Sequence, residues 1–277
     1  MHSDTLRLNS AVPMGFWASG APLARGVAAI GRGFLPFVMP VLIVAVWAVA
    51  SGHRWISPKV LPDPGLVLDT FLDLVRGGDL GDNLVASLTR VEHGFLLGGA
   101  IGLVLGLAMG FSPTADAWIG PFFRTVTQVP SLVWIPLLMQ LLGIDEALKL
   151  VVMAKACAIP VAVMTAAGIR EIPRDYLDVA RALRLSRWTQ IRRIVLPGAL
   201  PSIFSGLRQG LGHVWVSLII VEMMASADGI GHLMSWGRTI FQLDIVIVAM
   251  IVIGLVGFSF DLVLRQVEER LLRWRRA

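Results

Sequence analysis

The residues able to do chemistry in this chain are few and widely spaced. Five histidines (His2, His53, His93, His213, His232) include no H-x-x-x-H pair, and the single cysteine, Cys157, stands in an apolar run. Such spacing offers neither a clustered metal centre nor a disulfide framework within one chain. No G-x-x-x-x-G-K-[ST] stretch is present, so the chain lacks that phosphate-cradling loop for ATP hydrolysis. What remains are charges embedded in apolar sequence: Lys155 in VVMAKACAIPV, Arg208 and His213 in LRQGLGHVW, and Glu222 in VEMMA. A charge in hydrocarbon costs a few kcal/mol, so it is kept for a partner, a wet path or a solute. Lys155 is therefore paired, stripped of its proton, or facing a watered path that a small anion could cross; otherwise it snorkels. Glu222 is either a path carboxylate or a boundary one hydrogen-bonded to the loop after it. Lys155, His213 and Glu222 are the candidate path residues; for His213 and Arg208 a dimer interface is the alternative, and Arg208 is also near enough to a helix end to snorkel.

The elements that position these groups read as membrane helices. Apolar residues make up 56% of the 277 and charged residues only 16%, with a mean hydropathy of +0.74. A soluble domain would carry nearer a quarter charged residues, so one all-α membrane domain is expected. About six spans are legible: Phe34–Ser51, Val85–Phe111, Pro121–Gly143 with breaks at Pro130 and Pro136, Leu148–Ile169, Pro201–Met224 and Asp244–Leu264. They divide the chain into an N-terminal segment (1–33), a transmembrane domain (34–264) and a basic tail (265–277). Phe34 onward reads as a retained helix rather than a cleaved signal. Between the first two spans lies a polar stretch with five aspartates, whose Leu66–Val75 portion has helical spacing suited to the membrane surface. Arginines before the first span and after the last place both termini in the cytoplasm. The net charge of +5 then belongs to helix ends facing lipid headgroups, not to a nucleic-acid site. Within the second span Gly94, Gly98, Gly102, Gly106 and Gly110 recur every fourth residue. That spacing makes a smooth face, suited to close helix packing more than to its alternative of lining a pore.

One long polar insert interrupts the apolar pattern, Glu171–Ser202, with its loop at 171–200. It carries Arg174, Arg181, Arg184, Arg187, Arg192 and Arg193 against Glu171, Asp175 and Asp178. The excess of arginine keeps it cytoplasmic. Asp175 is placed to N-cap one short helix and Ser186 a second, which should end before Pro197. An integral membrane enzyme would need clustered ligands that are missing. An ion-coupled carrier fits the composition but leaves this two-helix insert unexplained.

Asp178-Val179-Ala180, Arg184, Ser186, Ile194 and Leu196-Pro197 resemble the EAA loop of permease subunits of ATP-binding-cassette importers. The runs VPSLVWIPLL, LPGALPSIFSGLRQGLGHVW and VEMMASADGIGHL are similar to the nitrate, taurine and aliphatic-sulfonate branch, with the sulfonate permeases nearest and taurine, nitrate or a pyrimidine precursor as the alternative solutes. The resemblance runs from about Gly33 to the C-terminus. It implies a type I importer transmembrane domain in the inner membrane with cytoplasmic coupling helices. It also implies a second copy of the chain, two ATP-binding subunits inside that hold ATP and Mg, and a solute-binding protein outside. This chain itself would hold no cofactor. Asp178, Val179, Ala180, Arg181, Arg184, Leu185 and Ser186 would form the ATPase-coupling surface. Two departures stand out: Asp178 replaces the usual Glu, and Arg184 replaces a Gly suited to a left-handed bend. Either the bend shifts by a residue and leaves Arg184 solvated, or Arg184 meets an acidic patch on its ATPase.

Overall fold

The computed structural model describes residues 38–58 and 60–271, with Arg124 by its backbone alone. The expected N-terminal segment, the first four residues of the first span and the end of the basic tail lie outside the described residues. The described residues up to Ser57 are a unit apart from the rest. Its helix α1 (Val38–Gly52) exposes Val38, Met39, Val41, Leu42 and Ile43, as suits side chains meant for lipid.

From Pro58 on, the described residues form helices and turns with no strand. Asp63 caps α2 (Pro64–Gly77) by accepting from Gly65 N, and Pro64 occupies the first turn, where its missing N–H costs nothing. The helix expected at Leu66–Val75 is thus present and longer. It packs on the last described helix, α11 (Leu243–Leu271), and Thr70 donates to Asp244 at 2.7 Å. Gly78, at φ 87°, turns the chain into α3 (Asp79–Phe111). Ser112 then caps α4 (Pro113–Gln128), which starts earlier than the expected third span. A break at Val129–Pro130 separates α4 from α5 (Ser131–Leu142). Pro136 lies inside α5 without interrupting it, so only one of the two expected breaks forms.

Next come α6 (Glu146–Arg170), α7 (Arg174–Ala182), α8 (Arg187–Gln190), a π-helical turn (Ile191–Val195), α9 (Leu196–Ala225), α10 (Ile230–Thr239) and α11 (Leu243–Leu271). The second cytoplasmic helix was expected to stop before Pro197, with a fresh span from Pro201. Instead the chain is helical without a break from Arg187 to Ala225. The reason lies in the π turn: Leu196 N donates five residues back, to Ile191 O. A proline cannot donate, and its ring presses on the preceding turn. A locally widened ladder accommodates both effects without ending the helix. Among the described residues three helices (α3, α6, α11) are long and apolar enough to cross a membrane, and five spans result if α4–α5 and α8–α10 each count as one bent span.

α6 is the centre of the bundle, with α3 on one side and α9 on the other. The glycines of α3 make the first contact possible. A Cβ built on Gly94 would lie 2.5 Å from Met153 Cβ, one on Gly98 2.6 Å from Cys157 Cβ, and one on Gly102 2.8 Å from Val161 Cβ. Gly106 and Gly110 face Thr165 and Ile169 in the same way. Both helices advance four residues per contact and in the same direction, so they run parallel with i±4 ridges in register. The other face of α6 receives α9, running the opposite way: Gly210 meets Cys157, Gly206 meets Val161 and Met164, and Ser202 meets Gly168. Cys157, fully buried, lies between the two glycine contacts.

Candidate functional site

At the bundle end away from the α7–α8 insert, α3, α6 and α9 meet in a charged cluster around Arg90. Arg90 extends the glycine face of α3 by one turn, since it precedes Gly94 by four residues. Its Nε and Nη2 donate to the two Glu146 oxygens at 2.9 and 2.7 Å, a bidentate pair. Nη1 donates to Glu222 Oε1 at 2.9 Å, and Nη2 to Asp228 Oδ1 at 2.5 Å. Lys149 reaches Glu146 at 2.6 Å. Glu222 has no exposed surface and also accepts from Ser87 Oγ and Gly231 N. Gly229 N donates to Asn83 and Ile230 N to Ser87 Oγ, so side chains from α3 and α9 satisfy the first amides of α10. The buried carboxylate of Glu222 thus sits at the positive end of that helix. Gly229 is at φ 100°, and a Cβ there would fall 2.3 Å from the Glu222 carboxyl carbon, so only glycine fits. In the loop, Asp228 beside the Arg90 guanidinium is held below the usual carboxylate range.

Halfway along the bundle a cavity of about 520 Å³ opens between the α4–α5 break, α6 and α9. Lys155, Ile159 and Val163 line it from successive turns of α6, and Gln209, His213, Val216 and Ile220 from one face of α9. Lys155 rests its Nζ 4.6 Å from the centroid of the Trp134 ring and has no ion pair among the described residues. Lys155 and His213, two of the three path candidates, therefore share one cavity. Glu222 does not join them, because it is enclosed in the Arg90 cluster. Arg208, partly exposed, pairs with Asp261 of α11 at 2.7 Å.

The polar insert folds against the opposite end. The N-cap of α7 is Pro173, with no side-chain cap, so Asp175 lies in the first turn and does not cap. The first turn's amides attract that carboxylate wherever it stands within the turn. Ser186 does cap α8, accepting from Thr189 N at 3.2 Å. Between the helices Arg184 adopts φ 49°. Leu185 N donates to Ala180 O and Arg184 N to Arg181 O, the paired bonds of a Schellman ending with Arg184 in the left-handed position. The bend has not shifted by a residue; arginine holds the conformation that glycine favours. Leu177 packs into a cluster with Ile169, Val195, Ala199 and Ile203, and Ala180 is completely buried. Tyr176, Val179, Leu183 and Trp188 point outward, each more than half exposed. Asp178 and Arg181 pair at 2.8 Å on the exposed side.

The family described as the binding-protein-dependent transport system inner membrane component matches residues 98–273. The chain belongs to this family. It is a permease subunit of an ABC importer. It is 38% identical to the aliphatic sulfonates transport permease protein SsuC of Escherichia coli, over 87% of this chain and 92% of that one. Its identity to the SsuC protein of Bacillus subtilis is 35%, over 86% of each chain. The taurine transport permease TauC of Escherichia coli is 33% identical, over 85% and 87%. An amino acid ABC transporter solved with histidines shares the fold at a TM-score of 0.61 and 17% identity, covering 72% of this chain and 98% of that one. A methionine ABC transporter does so at 0.52 and 20%, covering 65% and 92%. The permease thus has the type I importer transmembrane fold. Its Arg90 cluster was not among the sequence-derived candidates. The signal was present, because a charge inside the second span and on the glycine face is a functional candidate by default.

Proposed function

We propose that this permease forms the path of an aliphatic sulfonate through the inner membrane, driven by a separate ATPase. In this reading two copies of the chain stand over two ATP-binding subunits, a solute-binding protein delivers from outside, and both termini are cytoplasmic. The observation that supports it best is the α7–α8 insert. A short helix anchored by Leu177 and Ala180 offers an uncovered apolar row, Tyr176, Val179 and Leu183, with Trp188 beyond the bend. Such a row flanked by charges suits a protein groove better than lipid. Asp178, Val179, Arg181, Arg184, Leu185 and Ser186 lie on or beside that surface, whereas buried Ala180 holds it to the bundle.

ATP closes the ATPase pair, draws the two α7 helices together and turns the spans between inward- and outward-open states. It does so only by the difference in its affinity for the two states. The SsuC relatives support the sulfonate, and the TauC relative makes taurine the natural comparison. The test is ATP-driven uptake by the reconstituted complex with ethanesulfonate, taurine and nitrate offered in parallel. Ethanesulfonate should be taken up fastest, and Val179→Asp with Trp188→Asp should abolish uptake while the permease still inserts. Faster uptake of taurine or nitrate would refute the sulfonate reading, and full uptake by the double variant would refute the docking surface.

A further inference from the structure

We propose that the cavity around Lys155 is a solute-holding site in the membrane domain itself, built for one organic monoanion with an apolar tail. The proposal rests on the anion-importer reading above and adds where and how this chain reads the anion. Lys155 is the tenth residue of α6, about 13 Å from the nearer end at 1.5 Å per residue, too deep for easy escape to water. No carboxylate lines the cavity among the described residues. Elsewhere in the bundle the buried or half-exposed cations are matched by acids: Arg90 by Glu146, Glu222 and Asp228, Lys149 by Glu146, and Arg208 by Asp261. Lys155 alone among these is left on an aromatic face, that of Trp134, whose own Nε1 is buried without a hydrogen-bond partner.

An ammonium on a π face makes a weaker contact than a charge-assisted hydrogen bond to an anion, so an arriving anion displaces the ring. Gln209 and His213, four residues apart on α9, present side chains that make no hydrogen bond among the described residues. They can donate to the remaining headgroup oxygens. Apart from the hydroxyls of Thr127, Ser131 and Ser217, the rest of the wall is apolar, including Ile159, Val163, Val216 and Ile220. With one cation and no acid among its described lining residues, the cavity is balanced by a single negative charge, and its apolar walls gain from a ligand that carries hydrocarbon. Its volume of about 520 Å³ holds a short alkyl chain with several waters.

The experiment uses the permease–ATPase complex in phosphatidylcholine nanodiscs, without the solute-binding protein, and measures binding of an alkanesulfonate series by calorimetry. Affinity should rise about two- to fourfold per added methylene from ethane- to hexanesulfonate. Lys155→Met, with assembly verified, should weaken hexanesulfonate at least about tenfold, and nitrate should not compete. The chain-length series needs no variant, so it decides even if Lys155→Met fails to assemble. Affinity that is flat along the series, or hexanesulfonate binding unchanged in Lys155→Met, overturns the proposal. Loss of hexanesulfonate binding when phosphatidylglycerol replaces part of the lipid assigns the cavity to lipid headgroups and also overturns it. Lys155-dependent binding of hexanoate in a complex that takes up no sulfonate would sustain this site while sinking the sulfonate function.

Discussion

Gly98→Ala is a small change whose cost can be worked from the structure. The new Cβ would lie 2.4 Å from Ala154 O and 2.6 Å from Cys157 Cβ, where ordinary contact begins at 3.4 Å. The nearest atom is α6 backbone, which cannot swing aside, so the helices must part by about 1.0 Å there (3.4 − 2.4). At Gly102 the same subtraction from 2.7 Å gives about 0.7 Å. Overpacking of this kind costs about 1–3 kcal/mol, and alanine returns up to about 1 kcal/mol of helix propensity. Gly98→Ala should therefore lose about 2 kcal/mol and Gly102→Ala about 1. The two costs should not add. A separation that admits alanine at 98 nearly admits it at 102, so the second substitution should cost less than half its single value. Gly212→Ala is the control, because nothing lies within 4 Å of its Cβ. Reversible unfolding in mixed micelles, read as the shift in midpoint, measures all four. Equal midpoints for Gly98→Ala and Gly212→Ala would refute the close α3–α6 contact, and strict additivity would refute a shared separation.

Arg184→Gly relieves a left-handed arginine and should stabilise the α7–α8 bend by about 0.5–1 kcal/mol. Hydrogen exchange at the Arg184 and Leu185 amides reads this, and unchanged or faster exchange would contradict it. Arg90→Met leaves Glu222 buried without its cation and should cost about 3–5 kcal/mol. Adding Glu222→Gln should recover a good part of that loss, and no recovery would show that Arg90 acts mainly through its other acids. The Asp228 carboxyl is depressed by Arg90, so its contribution is present above the ordinary carboxylate pKa, near 4, and is lost as pH falls through the lower folded value. Asp228→Asn should flatten that acid limb of the stability profile, and an unaltered limb would place the titration elsewhere.

What the sequence revealed was what depends on near neighbours along the chain. The glycine ladder has a period of four and was legible as a packing face, but its register on Met153, Cys157 and Val161 was not. The break at Pro130 was legible because the residue before a proline leaves the helical region. Pro136 and Pro197 show the limit of that rule, since a helix absorbs a proline where its ladder can loosen or a neighbour supports it. Sequence alone left open whether the bend shifts at Arg184; the Leu185–Ala180 and Arg184–Arg181 hydrogen bonds and the burial of Ala180, none of them readable along the chain, hold it in place. Arg90 went unremarked because its partners Glu146, Glu222 and Asp228 are 56, 132 and 138 positions away. Asp261, the partner that holds Arg208, is 53 positions distant.

The three regions of interest share one helix, and that constrains how they can work together. α6 carries Glu146 and Lys149 of the charged cluster at one end, Lys155 of the cavity in the middle, and Gly168 and Ile169 against α9 at the other. Three residues separate its end from α7, and Pro173 among them limits the slack of that connection. Along its length α6 touches α3 at distances that admit no Cβ, so the two helices cannot slide by a fraction of a turn without collision. They form the stiff part of the bundle. The compliant part is on the other side of the insert, where the π turn precedes α9 and already departs from the regular ladder. Force applied at the α7 surface is then divided unequally. It reaches Lys155 through a stiff pair of helices and reaches Gln209 and His213 through a loosened one. A displacement of α7 should therefore change the spacing between the two walls of the cavity more than it moves α6 against α3.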